Sequence, residues 1–254
     1  MFILSRQFFP GANIANRTPL IANGLRVIDD YYSADQCQRL LKLVEEFRGS
    51  HKLVELYRPV KGRSLRYLVI DGEQIREHIP VLQEIYTGEF QDLVREMAGE
   101  RLEPLANLKS GVNVNILPSG RSEYRWHYDR NYVTAILYLN EVEGGDTEMY
   151  PNYRILLNNP SSAFQKILDA ILNFAPLRAV LRKKISVSPK TGRLVMMQGS
   201  RSWHSVSPVT GGEDRINIIM AYDRPGATFA AEKGLDSYLY TQQEQQVSDP
   251  NYGR

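Results

Sequence analysis

The sequence predicts an α+β fold, in which helices support a β-rich core of sandwich, jelly-roll or barrel type. Three observations carry that expectation. The first hundred residues mix helical and alternating apolar patterns. From Leu102 onward, short alternating segments follow one another between turn dipeptides. Residues 152–184 then return to helical spacing, which reads as an insertion between two strands.

Taken in order, residues 1–22 lack a clear period and read as an irregular arm. Residues 25–28 form a short apolar strand ending at Asp29-Asp30. Ser33 is the expected N-cap of a helix through about Phe47, with Leu40, Leu41, Leu43 and Val44 as its apolar stripe. Leu65, Tyr67 and Val69 alternate in a strand over 63–70 that stops at Asp71-Gly72. Leu82, Ile85, Phe90, Leu93 and Met97 predict one long helix over 79–97.

The second half predicts strands at 110–117, 123–128, 132–139, 147–150, 185–188, 193–198, 203–206 and 215–222. Turn formers separate them, at Pro118-Ser119-Gly120, Gly144-Gly145-Asp146, 189–192 and Gly211-Gly212. Within the insertion, 164–172 and 177–181 have helical spacing broken by Pro176. The insertion is expected either to cover one end of the barrel or to act as a lid.

Composition narrows the function. The 254 residues carry a net charge of +2 and no dense basic stripe, so no nucleic-acid partner is expected. No apolar run approaches a membrane span, and the Met1–Pro10 segment is too short and wrongly charged for a secretory signal, so no membrane partner is expected. Cys37 is the single cysteine and cannot form an internal disulfide; a reducing, cytoplasmic setting is expected.

The chemistry concentrates in few residues. Of four histidines, His127 stands in Tyr124-Arg125-Trp126-His127-Tyr128-Asp129 and His204 in Arg201-Ser202-Trp203-His204. In an extended segment His127 and Asp129 project to one face, with Trp126 and Tyr128 pointing the other way or lining the rim. His204, on another short strand, is the candidate third ligand. Two imidazoles and a carboxylate suit a non-haem Fe(II) centre with open positions. Closed structural zinc sites favour four ligands. His51 and His78 lie in polar contexts and are expected to face solvent.

Downstream blocks carry a family resemblance. Tyr138-Leu139-Asn140 followed by Gly144-Gly145-Asp146-Thr147, the Pro189-to-Gly192 turn, and the run from His204 through Val206, Pro208 and Val209 to Arg215 resemble the ordered motifs of prolyl-4-hydroxylase-like Fe(II)/2-oxoglutarate-dependent dioxygenases. The strand, acidic turn and helix opening of 23–37 are similar to that family's first segment.

The resemblance implies a double-stranded β-helix (jelly-roll) core with N-terminal helices packed on it and the helical insertion between core strands. It implies a single domain over 1–254, with an arm and helical support at 1–100, the core at 101–226 and a tail at 227–254. It implies Fe(II), 2-oxoglutarate and O₂, with ascorbate for reactivation. The reaction it implies is hydroxylation of an unactivated C–H bond, with succinate and CO₂ as co-products. His127, Asp129 and His204 match the metal-binding and catalytic positions. Arg215 matches the residue that grips the distal carboxylate of 2-oxoglutarate, and Tyr138 a tyrosine that helps hold it. Thr134 shares the strand face of Tyr138, and Asn113, Asn115 and Asn217, polar residues inside apolar strands, are expected to line a wet co-substrate pocket.

Related halogenases lack the carboxylate, so Asp129 predicts hydroxylation or a similar oxidation and not halogenation. Leu117 departs from the family, where several relatives have a tyrosine. Tyr124, Trp126, Arg130, Asn131, Tyr150 and Trp203, with Arg121 and Arg125, flank the triad as a cationic, aromatic mouth. That mouth suits an amino-acid-like or specialised small molecule. A peptidyl prolyl hydroxylase, a cupin-like dioxygenase without 2-oxoglutarate and a non-catalytic metal-binding jelly roll are the alternatives.

Overall fold

The computed structural model describes residues 20–58, 65–120, 124–157, 163–174, 176–178 and 183–227. Most of the expected arm and tail, Arg121, the side chains of Tyr124 and Arg125, and most of 177–181 lie outside the described residues.

The N-terminal part is helical support. Helix α1 (Leu20–Asn23) leads into β1 (Leu25–Ile28). Helix α2 (Ala34–Ser50) starts at Ser33, whose hydroxyl accepts from the Gln36 amide while the Gln36 side chain accepts from the Ser33 amide. Its buried stripe is Cys37, Leu40, Val44 and Phe47. The strand pair β2 (Val54–Arg58) and β3 (Leu65–Ile70) follows; β2 was not expected. Asp71 then caps α3 (Gly72–His78).

The long helix expected over 79–97 is two helices, α4 (Pro80–Thr87) and α5 (Glu89–Ala98). The chain turns at Gly88, so a continuous apolar period runs through a break that glycine permits. Tyr86 ties α4 to the core by donating from its hydroxyl to the Ala221 carbonyl at 2.7 Å.

The core is two facing antiparallel sheets. The larger runs β1-β10-β7-β12-β5-β3-β2, using β5 (Val112–Leu117), β7 (Val133–Tyr138), β10 (Leu194–Met197) and β12 (Arg215–Asp223); the two-residue β4 (Glu103–Pro104) pairs with β12. The smaller runs β6-β11-β8-β9, from β6 (Tyr124–His127), β8 (Thr147–Tyr150), β9 (Ile185–Val187) and β11 (Trp203–Val206). The short helix α6 (Leu108–Gly111) leads into β5.

Alternation sorts the side chains. On the large sheet, Val112, Val114, Ile116, Val133, Ala135, Leu137, Ile216, Ile218 and Met220 pack against the helices. Their neighbours in sequence face the space between the sheets. Leu56, Tyr67, Val69 and Leu117 fill one side of that space with Val206. Ile136, Tyr138, Val195 and Met197 fill the other with Met149. This is the jelly-roll architecture with N-terminal helices and a helical insertion between core strands.

The described helix of the insertion packs on a sheet face instead of a barrel end. Helix α7 (Ala163–Leu172) lies on the outer face of the small sheet, where Leu168 and Leu172 pack with Trp126, Tyr128, Tyr150, Tyr153 and Trp203. Arg154 pairs with Asp169 at 2.6 Å beneath the helix. No described helix is long and apolar enough to cross a membrane.

Candidate metal centre

His127 and His204 sit directly opposite each other on β6 and β11. Their rings lie 4.2 Å apart between centroids. Asp129, just past the end of β6, brings Oδ1 to 3.4 Å from Nε2 of each histidine. One donor atom from each residue falls within 4.8 Å of the others, and no further His, Cys, Asp or Glu joins the group among the described residues. Two imidazoles and one carboxylate with no fourth ligand is an open donor set that fits a non-haem metal.

Each donor is held by a neighbour. The Ser202 carbonyl lies 2.9 Å from His204 Nδ1, so Nδ1–H donates to it and Nε2 is the ring nitrogen turned to the cluster. Thr134 donates its hydroxyl to Asp129 Oδ2 at 2.5 Å, and Asn131 donates to Thr134 Oγ1 at 2.8 Å. The Asp129 amide donates to the Gly199 carbonyl. A Cβ on Gly199 would stand 2.7 Å from both Asp129 Cβ and Thr134 Oγ1, so only glycine admits this approach.

Burial alone would raise the Asp129 carboxyl. The charge of His204, hydrogen bonds with both imidazoles and the charge of His127 outweigh it and hold Asp129 well below the carboxylate range. Burial would likewise lower His204, but the Asp129 charge and hydrogen bond, with the Ser202 carbonyl, raise it. The cluster is therefore built to attract positive charge between its three donors.

A second polar group shares the space between the sheets. Arg215 is 2% exposed. It donates from Nη1 to Asn217 Oδ1 at 2.7 Å and from Nη2 to Thr147 Oγ1 at 3.2 Å and Tyr138 Oη at 3.4 Å. The guanidinium carbon stands 4.9 Å over the Tyr138 ring. All these partners are neutral, and Arg215 Nε, Asn217 Nδ2 and Asn115 Oδ1 are buried without a hydrogen-bond partner. A buried cation without an anion is costly. This pocket fits a carboxylate ligand. A Cβ on Gly145 would meet Arg215 Cδ at 2.7 Å, so that glycine gives the arginine its passage.

The expected residues thus divide. The structure brings together His127, Asp129 and His204, and separately Arg215, Tyr138 and Asn217, with Asn115 paired to Asn217 across the strands. Thr134 touches Asp129 rather than the arginine. The aromatic part of the expected mouth is corrected. Trp126 and Trp203 precede the histidines in sequence, and Tyr150 is paired with Trp203, so all three project to the opposite face of the small sheet, under α7. Asn131 is 8% exposed and occupied with Val133 and Thr134, and Arg130 is half-buried. Thr147, Gly145, Gly199 and the Ser202 carbonyl were missed. Thr147 and Gly145 lay in a motif already noticed, whereas a backbone carbonyl leaves no sequence signal.

This geometry defines a class, a jelly-roll protein with an open two-histidine, one-carboxylate cluster beside a buried anion-seeking arginine. Residues 112–222 match the family model described as the 2OG-Fe(II) oxygenase superfamily. The core of the chain, residues 112–222, is similar to that superfamily. That match supports a 2-oxoglutarate-dependent dioxygenase that uses Fe(II) and 2-oxoglutarate.

Solved structures agree on the fold. The carbocyclase SnoK of nogalamycin biosynthesis superposes with a TM-score of 0.69 at 14% identity, covering 97% of this chain and 96% of the other. EctD from S. alaskensis, solved with 2-oxoglutarate and 5-hydroxyectoine, gives 0.60 at 16% identity, covering 87% and 80%. A Pseudomonas putida prolyl-4-hydroxylase gives 0.51 at 19% identity, covering 82% and 96%. No curated protein sequence matches the chain.

Proposed function

We propose that this dioxygenase hydroxylates an unactivated C–H bond of a small molecule, within one catalytic domain, and that His127, Asp129 and His204 hold its Fe(II). The observation that carries the reading is Arg215. A guanidinium sealed between two sheets, with only neutral partners among the described residues, fits the distal carboxylate of 2-oxoglutarate.

When bound, Fe(II) and 2-oxoglutarate supply O₂ activation coupled to decarboxylation of the co-substrate to succinate and CO₂. The chain's own residues do the rest. Thr134 pins one oxygen of Asp129 and leaves the other for the metal. The Ser202 carbonyl fixes the His204 tautomer. Tyr138, Thr147 and Asn217 hold the Arg215 fork in place. Ile136, Met149, Val195 and Met197 keep that side of the inter-sheet space apolar.

A small-molecule substrate is favoured over a peptide for two reasons. The modest net charge of +2 points that way. SnoK and EctD are described with small-molecule pathways or ligands and share the fold over most of the chain. The test is substrate-dependent succinate release, assayed with a panel of small metabolites and with proline-containing peptides. Stimulation by a small molecule, dependent on Fe(II), 2-oxoglutarate and O₂, is expected. Stimulation by peptides alone would reassign the substrate class, and O₂ consumption that ignores 2-oxoglutarate would contradict the role given to Arg215.

A further inference from the structure

Helix α7 turns only one side of itself to the protein. Gln165 and Leu172 are buried and Leu168 packs toward the sheet. Phe164, Ile167, Ile171 and Phe174 recur at spacings of three and four and occupy the other side, 77%, 58%, 53% and 63% exposed. Gln165 also binds the Ile155 carbonyl and the Leu157 amide, which lays 155–157 along the start of the helix. Ile155, Leu156 and Leu157 are themselves exposed and extend the same patch. Together they offer on the order of 600 Å² of apolar surface, at the top of what monomers expose in one patch. A helix with apolar residues on its outer side as well as its inner one is built for burial on both.

Charge decides what covers it. From 152 to 185 the chain has six basic residues (Arg154, Lys166, Arg178, Arg182, Lys183, Lys184) and one acid, Asp169, against +2 for the whole chain. Asp169 is turned inward onto Arg154. Lys166, on the helix itself, and Lys183 and Lys184, where the segment returns to β9, are exposed, with Lys184 paired to Glu148. Beside the apolar side chains this leaves Lys166 and Lys183 as exposed cations, and α7 itself turns no carboxylate outward. A second copy would set like charge against like. An anionic bilayer matches both features: apolar side chains reach the acyl boundary while lysine heads stay among the phosphates.

We infer that α7 and residues 155–157 form a peripheral docking surface for anionic lipid bilayers, on the side of the small sheet away from the metal centre. The surface lies on a membrane and does not cross it, so it is compatible with the absence of a spanning helix among the described residues. It also revises the expectation of no membrane partner.

The test is flotation of the full-length chain with vesicles of phosphatidylcholine alone, or of phosphatidylcholine with about a third phosphatidylglycerol. Binding to the anionic vesicles is expected, roughly tenfold weaker on neutral ones and weakened by high salt. Phe164→Ser with Ile171→Ser should cut binding on the order of tenfold, as should Lys166→Glu with Lys183→Glu. These side chains are exposed, so thermal unfolding should be unchanged in both variants. Absence of wild-type binding to anionic vesicles, or equal binding by both variants, would overturn the inference. A vesicle-free dimer in sedimentation that the Phe164→Ser, Ile171→Ser pair dissolves would assign the patch to a second copy, and overturn it equally. Neither readout depends on catalysis.

Discussion

The two faces of the four-stranded sheet differ in what they ask of the same strands. Toward the large sheet, β6 and β11 present His127 and His204, held in register by a backbone pairing and tuned by Asp129. Away from it, Trp126 and Trp203, one residue earlier on each strand, stack at 6.3 Å with Tyr128 and Tyr150 nearby. One face carries the preorganised polar donors. The other is aromatic, packed and sealed by α7. Period-two alternation lets one short strand position a ligand and anchor it by burying the residue next door.

The sharpest way to break this division is Trp203→Ala. Trp203 is 5% exposed within the aromatic cluster, so its removal should cost about 3–5 kcal/mol in urea unfolding. Folded variant should still bind Fe(II) and 2-oxoglutarate. Loss of both at full stability would mean that the aromatic face takes part in the site itself. On the inner face, Arg215→Ala should lower 2-oxoglutarate affinity by more than about 100-fold in anaerobic calorimetry. Iron affinity should be unmoved. An unaltered 2-oxoglutarate isotherm would take the arginine out of co-substrate binding.

A smaller effect tests the supports. Thr134→Val removes the hydroxyl that holds Asp129 Oδ2 and should weaken Fe(II) binding about 10–100-fold, with little change in 2-oxoglutarate affinity once iron is saturating. A variant that loses 2-oxoglutarate instead would return Thr134 to the co-substrate contacts expected from the sequence.

The smallest effect lies outside both faces. Burial pushes the Cys37 thiol up to about 11, against a backbone contact with Gly192 that pulls it down. The folded value exceeds the unfolded one, so this stabilisation is complete below the unfolded thiol pKa and fades as pH climbs toward 11. Native Cys37 should therefore react with a thiol reagent at pH 8 more than about 100-fold slower than the unfolded chain. Rapid native labelling would show that α2 opens from the sheet.

Much of this was legible in the residues. His127 and Asp129 stand two apart, so an extended segment aligns them, and the spacing of later motifs put His204 and Arg215 on core strands. The aromatic face was misread for a physical reason. Trp126 and Trp203 adjoin the histidines in sequence, but adjacency in a strand means opposite faces, so nearness along the chain stood for distance across the sheet. The break at Gly88 was hidden because the apolar period of α4 continues in phase into α5. Support from the Ser202 carbonyl and the close approach at Gly199 depend on tertiary contacts that no local pattern encodes.

The measurement that bears most directly on the inner face is an anaerobic titration of the purified chain with Fe(II) and 2-oxoglutarate, followed in the visible range. A weak charge-transfer band that saturates with one iron per chain and vanishes in His204→Ala is the predicted result. A band of equal strength in His204→Ala, or none in wild type with iron bound, would contradict a co-substrate chelated at a metal held by His127, Asp129 and His204.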